Sequence, residues 1–519
     1  MGNDNSLQYI ELREKYPDFI FERYDISDKD GALNIVFHFS IPGLARFCPT
    51  WSFPMPGSQQ PFIDRHCLDG LVFSLGMAEL ISYWKTCCPP NVRVEAGTLT
   101  PPQIAWWKKL YSGGLGEYFY TNGISPGDSF MDIISPMPAS IQINNPCAAD
   151  TTQDATQDTL DRLAASGNRR DAVPGNQRDA ASGNRRDAAS RSTQSTVPES
   201  TRSTASEGLP KVLIPIGGGK DSAVTLELLR GCAERFGYAI NPRQATDDTA
   251  AVGGIEKGNM IAAKRTLDKN MLKLNAQGYL NGHTPFSAIV AFSSIIAGYI
   301  NGLQYVALSN ESSANEATIA NSKVNHQYSK SFEFETDFRR YEREYIGAGV
   351  EYFSLLRPLS ELQIGRLFAK YRQYHKVFRS CNAGSKQDEW CGVCSKCLFV
   401  YIILAPFLEE GELVSIFQKN IFEDISLKEK LDELVGFTPE KPFECVGRRD
   451  EVYAALELTI AGYAEQAKPL PALLAYYYAK RSGAPFGANT ARQDDYDTEN
   501  AVPQRFLALI KDAAKEGSY

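Results

Sequence analysis

The sequence predicts an α/β protein, with a parallel-sheet domain between an N-terminal α+β domain and a helical C-terminal part. Three observations predict it. Between 209 and 400, short unalternating apolar runs, "KVLIPI" (211–216), "FGYAI" (236–240) and "YVALS" (305–309), are separated by helical stretches. Such runs suit strands buried on both faces, and their alternation with helices suits a parallel sheet. Before 147, two β-like runs flank a turn signal. After 400 the pattern is helical, as in "RDEVYAALELTIAGYAEQA" (449–467) and "PALLAYYYAKRSG" (471–483).

The N-terminal runs are "FIFERYDI" (19–26) and "ALNIVFHFSI" (32–41), joined through Asp30-Gly31, a strong hairpin signal. Leu33, Ile35, Phe37, Phe39 and Ile41 alternate and are expected on one buried face. Helices are expected over 68–85 and 101–111, the second opening on prolines that suit a first turn.

Residues 148–208 break this order. "GNRRDAVP", "GNQRDAAS" and "GNRRDAAS" begin at Gly167, Gly175 and Gly183 and form an eight-residue tandem repeat. The repeat has almost no large apolar group and cannot offset its ordering entropy, so it reads as a disordered linker. Its period is too short for a solenoid unit. The expected division is 1–147, 148–208, 209–400 and 401–519.

Composition narrows the function. The chain has 519 residues, 43% of them apolar, and a net charge of −8, which argues against a broad basic surface for nucleic acid and suits a soluble protein handling small molecules. Eleven cysteines, an odd count, include four between 381 and 397; this pattern suits a reducing, cytoplasmic setting and one metal site rather than a disulfide scaffold. The polar start, "MGNDNSLQYIELREKYPD", leads us to expect no signal peptide. Met1-Gly2 with Ser6 fits a myristoylation pattern short enough to arise by chance. The richest apolar run, "LFVYIILAPFL" (398–408), is too short to span a membrane and contains Pro406, so no membrane partner is expected.

"KVLIPIGGGKDSAVTLELL" (211–229) carries the chemistry. A strand turning through glycines into a helix leaves backbone N–H groups unpaired at the helix start, and these attract anions. Gly217, Gly218 and Gly219 admit a phosphate closely, Lys220 adds a charge, and Ser222 can cap the helix or bond a phosphate oxygen. Asp221 would oppose a bare anion, so it points to a metal ion or a catalytic role. The Walker pattern and the dinucleotide fingerprint both fail to match. The plain alternative is a tight turn with no ligand.

Cys381, Cys391, Cys394 and Cys397, in "SCNAGSKQDEWCGVCSKC", can close a tetrahedron around structural Zn2+; an iron–sulfur cluster or free thiols are the alternatives. His283, in "GHTPFSA", precedes an apolar helix. "SNESSANEATIANSKVNHQYS" (309–329) follows a strand, where parallel sheets bind ligands, so Glu311, Asn315 and His326 are candidates for substrate or metal contact. Ser360 with Gln363 reads as a capping box. Cys445, in "KPFECVGRRDE", reads most simply as a buried thiol.

The glycine loop resembles Ser-Gly-Gly-x-Asp-Ser of the ATP-dependent PP-loop enzymes, with Gly217 in place of the leading serine. That resemblance implies a doubly wound, adenine nucleotide alpha hydrolase-like domain, which binds ATP and leaves AMP on its substrate. A similar cysteine arrangement follows the nucleotide domain in the PP-loop enzymes that make 7-cyano-7-deazaguanine. The order of "LVFSLGMAELISYWK", "EAGTLTPPQIAWWKKLYSGGLGEYFYTNGI", "IPIGGGKDSAVTLELL", "ALSNESSANE", the knuckle and "KPFECVG" resembles the bacterial UDP-N-acetylmuramoyl-L-alanyl-L-glutamate epimerase family, MurL. That family inverts the terminal L-Glu of UDP-MurNAc-L-Ala-L-Glu, consuming ATP with Mg2+ and releasing AMP and diphosphate, and so supplies D-glutamate to peptidoglycan. The resemblance implies that Gly217–Gly219 and Ser222 cradle phosphates, Lys220 steadies them and Asp221 orders Mg2+. His283, His326 and Cys445 are the candidate proton carriers, among which the sequence does not choose. Its rivals are a nucleobase- or tRNA-modifying PP-loop ligase and an ATP-binding zinc-knuckle sensor without turnover.

Overall fold

The computed structural model describes residues 4–57, 63–127, 130–136, 208–319, 322, 324–481 and 496–516. The 148–207 stretch of the expected linker and the Met1-Gly2 start lie outside them. Among the described residues eleven strands form one sheet: β1 (Asp18–Lys29), β2 (Ala32–Ile41), β3 (Ala45–Phe47), β4 (Thr50–Pro54), β5 (Asn91–Val94), β6 (Asp132–Ile134), β7 (Lys211–Pro215), β8 (Glu234–Ile240), β9 (Met260–Thr266), β10 (Tyr305–Leu308) and β11 (Glu351–Ser354). The order across it is β11-β10-β7-β8-β9-β4-β2-β1-β5-β6, with β3 on β2.

The first half grows from the hairpin. Lys29 pairs with Ala32, and the turn residues Asp30 and Gly31 take φ of 57° and 70°, the left-handed pair that a two-residue hairpin turn requires. Leu33, Ile35, Phe37, Phe39 and Ile41 are all buried. They meet the long helix Arg65–Trp84, and β5 and β6 extend this half in parallel beyond β1. The helix over Pro101–Gly114 starts on its prolines, with the Thr100–Gln103 capping box.

The second half, β11-β10-β7-β8-β9, is wholly parallel. Read from β9 to β11 and counted along the chain from β7, its strands lie third, second, first, fourth, fifth. The order reverses between β7 and β10, and a crevice at such a switch point is where open α/β sheets take their ligands. β7 is buried on both faces: Leu213 joins one core with Phe292 and Tyr238, while Val212 and Ile214 join another with Val224 and Leu362. The helices responsible are Phe286–Ile300 on one face and Lys220–Leu228 on the other. β4 pairs antiparallel with β9, so strands from before and after residues 148–208 share one sheet.

The C-terminal residues are helical, including Ser395–Leu404, Arg449–Glu465 and Ala472–Lys480. Every residue of Ser395–Leu404 is buried, which explains its unbroken apolar run. Ser360 and Gln363 form the capping box: Gln363 N–H donates to Ser360 Oγ at 3.2 Å and Ser360 N–H to Gln363 Oε1 at 2.8 Å. Among the described residues no helix is long and apolar enough to cross a membrane.

Candidate active site

The turn after β7 leads through Ile216 and the three glycines into the helix Lys220–Leu228. Gly218 has φ of +85°, and a Cβ there would stand 3.0 Å from the Ala245 carbonyl carbon. Gly219 caps the helix with no side-chain hydrogen bond, so the first-turn N–H groups are left to a ligand. Ser222 Oγ donates back to the Gly219 carbonyl at 3.0 Å.

This turn forms one wall of a cavity of about 450 Å³. Gly217, Gly219, Asp221 and Ser222 line it, as do Glu311 after β10, Lys330, Lys396 and Cys445. Arg243 and Ser380 stand close to the glycines: Arg243 Nη2 donates to Gly217 O at 3.4 Å, and the buried Ser380 Oγ has no hydrogen-bond partner among the described residues. A hydroxyl left unpaired beside bare helix-start N–H groups suits an anionic ligand. Asp221 and Glu311 are the hard oxygen donors of this cavity, the type Mg2+ takes. Burial would raise Asp221, but Lys220, Lys396 and Lys330 hold it below the usual carboxylate range.

Lys220 does not itself line the cavity. It is 2% exposed, and its Nζ donates to Asp221 Oδ1 and to the buried Glu361 Oε2. Burial pushes Glu361 above the usual carboxylate range, with Lys220 opposing and Asp221 and Glu311 adding to the rise. Arg357, fully buried, holds the opposite wall: its Nη1 donates to Glu311 O at 2.6 Å and its Nη2 to Lys330 O.

Cys445 is half-buried at the cavity. Lys330 Nζ is 3.1 Å from its Sγ, His326 Nε2 is 3.9 Å away, and Lys396 Nζ donates to its carbonyl. Burial alone would raise this thiol, but Lys330, His326 and Lys396 bring it down to about 6. His326 Nδ1–H donates to Glu117 Oε2, and His283 Nδ1 lies 3.1 Å from the same oxygen. Burial works against a charged His326, yet Cys445 and Glu117 raise it to about 9. His283 is lowered to about 4, mainly by burial, with Glu117 opposing and His326, Lys85 and Lys330 adding to the fall. These shifts favour a thiolate at Cys445 and an imidazolium at His326 near neutral pH.

The structure thus brings together His283, His326 and Cys445, and sets Cys445 in one cavity with the glycines, Asp221, Ser222 and Glu311. It does not bring Asn315 there. Asn315 Oδ1 accepts from Phe332 N–H at 2.8 Å, and the residue lines a second cavity of about 760 Å³. Glu117, Lys330, Lys396, Arg243 and Ser380 escaped the sequence reading. Ser380 and Lys396 stand inside the cysteine motif and Glu117 inside "EAGTLTPPQIAWWKKLYSGGLGEYFYTNGI", but no spacing there marks them; Lys330 and Arg243 lie outside the quoted motifs.

The four cysteine sulfurs face one another. Sγ separations are 3.8 Å for Cys381–Cys394, 3.7 Å for Cys391–Cys397 and 3.5 Å for Cys394–Cys397. Sulfurs about 2.3 Å from a zinc ion would form a tetrahedron with edges of about 3.8 Å, so the donor set fits.

A family model described as the MurL N-terminal domain matches residues 11–167 and 177–355, and one described as the MurL C-terminal domain matches 377–479. Three curated relatives carry the name UDP-N-acetyl-alpha-D-muramoyl-L-alanyl-L-glutamate epimerase. The one from Salinispora tropica is 30% identical over 449 residues, 85% of this chain and 84% of its own. That from Xanthomonas oryzae pv. oryzae is 32% identical over 386 residues, 72% of this chain and 71% of its own. That from a Micromonospora species is 38% identical over 253 residues, 47% of this chain and 56% of its own.

Proposed function

The chain belongs to the MurL family, and we propose that it is an epimerase that inverts the terminal L-Glu of UDP-MurNAc-L-Ala-L-Glu through a carboxyl adenylate. One observation carries the mechanism: the glycine turn and the Cys445 thiol line the same cavity. Activation and proton transfer can then act on one bound carboxyl group.

The chemistry requires both. Removing a proton beside a free carboxylate would pile negative charge on an anion. Joining that carboxylate to AMP, with loss of diphosphate, removes its charge and lets the carbonyl accept electrons. In this reading the second half of the sheet is a PP-loop domain. The N–H groups of Gly217–Gly219 and the start of the helix, with Ser222 and Ser380, hold the phosphates. Asp221 and Glu311 would hold Mg2+, which supplies charge neutralisation at the phosphates when bound. Lys220 serves the loop from behind, as the buried partner of Asp221 and Glu361.

The Cys445 thiolate takes the Cα proton onto Sγ while the C–H electron pair moves into the activated carbonyl. Lys330 and Lys396 place positive charge beside the anion that develops. A solvent proton delivered to the opposite face of Cα gives the D-isomer while the Sγ proton passes to solvent, and water hydrolyses the acyl–phosphate bond to free AMP. Cys381, Cys391, Cys394 and Cys397 would hold a structural zinc, which supplies rigidity and no redox chemistry. The product would enter peptidoglycan assembly as a D-glutamate-bearing precursor.

The test is product analysis with purified protein, ATP, Mg2+ and UDP-MurNAc-L-Ala-L-Glu. AMP formed only with the dipeptide substrate, together with D-Glu on acid hydrolysis, supports the reading. AMP with L-Glu unchanged would point to a ligase of another carboxylate, and ATP binding without AMP to a sensor.

A further inference from the structure

Behind Cys445 lies a carboxylate that the proposed chemistry leaves without a role. Glu117 sits on the short helix Gly116–Thr121, far in sequence from both histidines it meets. Gly116 packs beside Val324, two residues before His326 in the chain. Glu117 is 15% exposed, and one of its oxygens, Oε2, accepts from His326 and lies 3.1 Å from His283 Nδ1. The two imidazole rings lie 4.7 Å apart, tilted by 49°. His326 spans the gap, with Nδ1 on Glu117 and Nε2 toward Cys445.

We infer that Glu117 is a positioning residue, which fixes the orientation and charge of His326 so that His326 can hold Cys445 as a thiolate. The inference rests on the proposed role of Cys445 and deepens it. A carboxylate on one nitrogen of an imidazole fixes the tautomer and stabilises the imidazolium, the logic of a nucleophile–histidine–acid triad. His283 closes the third side: its Nδ1 lies 3.1 Å from Glu117 Oε2, and burial favours its neutral form, so it does not compete with His326 for the carboxylate's charge.

The charges facing these groups are few. Cys445 meets Lys330, Lys396 and His326, with Glu444 adjacent in the chain. His326 meets Glu117, Cys445 and His283, and Lys85 and Lys330 act on His283. Lys330 in turn feels Glu311 and Asp221. Lys330 remains beside the thiol when Glu117 is neutralised, so the thiol is expected to weaken as an anion without returning to an ordinary value.

The experiment is alkylation of Cys445 by iodoacetamide across pH in the full-length protein, followed by peptide mass spectrometry, in wild type, Glu117→Gln and Glu117→Asp. Wild type is expected to react with a midpoint near 6. A lost carboxylate shifts a neighbouring pKa by about 1–3 units, so Glu117→Gln is expected to raise the thiol midpoint by about one pH unit. Glu117→Asp is expected to restore most of it. An unmoved midpoint in Glu117→Gln, with wild-type thermal unfolding, would overturn the inference. So would a second equivalent of bound metal per chain that disappears in Glu117→Gln, because Glu117 would then be a ligand. Alkylation needs no substrate. A shifted midpoint without any epimerisation would sink the epimerase reading alone, while Cys445-dependent inversion with an unmoved midpoint would sink only the role of Glu117.

Discussion

Lys330 Nζ stands 3.1 Å from Cys445 Sγ, although 115 residues separate them in the chain. The contact joins the loop after β10 to the segment before the helix Arg449–Glu465, at the wall of the cavity that the glycine turn opens. A thiol there, facing an ammonium and an imidazolium, has the character of a base.

Removing the thiol should therefore separate two activities. Cys445→Ala is expected to lose inversion by at least about a hundredfold, the scale of a positioned acid–base group. AMP formation from ATP and the dipeptide substrate should persist. Chiral analysis of glutamate beside AMP quantification checks both.

The rate should depend on pH through the pair. Cys445, depressed to about 6, is a thiolate above that value, and His326, raised to about 9, is an imidazolium below its own. The active pair exists between them, so kcat/KM is expected to rise through about 6 and fall through about 9. The limbs belong to the coupled pair rather than to either residue. Lys330→Met should move the acid limb upward. A flat profile over this range would contradict the pairing.

Lys220 is expected to matter for stability more than for ATP. Its partner Glu361 is buried, and removing one member of a buried pair costs about 3–5 kcal/mol. Lys220→Met should lower stability to denaturant by that amount. A wild-type unfolding curve with a large loss of ATP affinity would instead place the lysine on the phosphates.

Gly218→Ala addresses the phosphate cradle. The left-handed φ of +85° costs a non-glycine residue about 1–2 kcal/mol, and the added methyl group meets Ala245 backbone. ATP affinity is expected to fall about tenfold or more in calorimetric titration, with the N-terminal hairpin intact.

The cysteine knuckle should govern the site indirectly. Lys396 lies between Cys394 and Cys397; its N–H donates to Glu444 Oε2 at 2.6 Å and its Nζ to the Cys445 carbonyl. One zinc per chain is expected by metal analysis. Cys394→Ser should lose it and lower both the unfolding temperature and the inversion rate.

Much of this was legible because it is local. The Asp30-Gly31 turn, the Ser360 capping box, the strand–glycine–helix unit and the cysteine spacing each depend on neighbours within a few residues. β9 was not legible: in Met260–Thr266 only Ile261 and Ala263 are buried, too weak an alternation to read. The Glu117 cluster was not legible either, since Glu117 and His326 lie 209 residues apart and only the folded chain joins them. Lys220 occupies a motif position, and its buried partner Glu361 lies 141 residues away, so only the folded chain shows that contact.

The most direct measurement follows the reaction in deuterated water with ATP, Mg2+ and UDP-MurNAc-L-Ala-L-Glu, reading AMP, the chirality of glutamate and the mass of the peptide together. The expected result is D-Glu carrying one deuterium at Cα, formed with AMP and absent in Cys445→Ala. Inversion without AMP, or AMP with the glutamate unlabelled and still L, would contradict a single cavity that activates the carboxyl group and moves its proton.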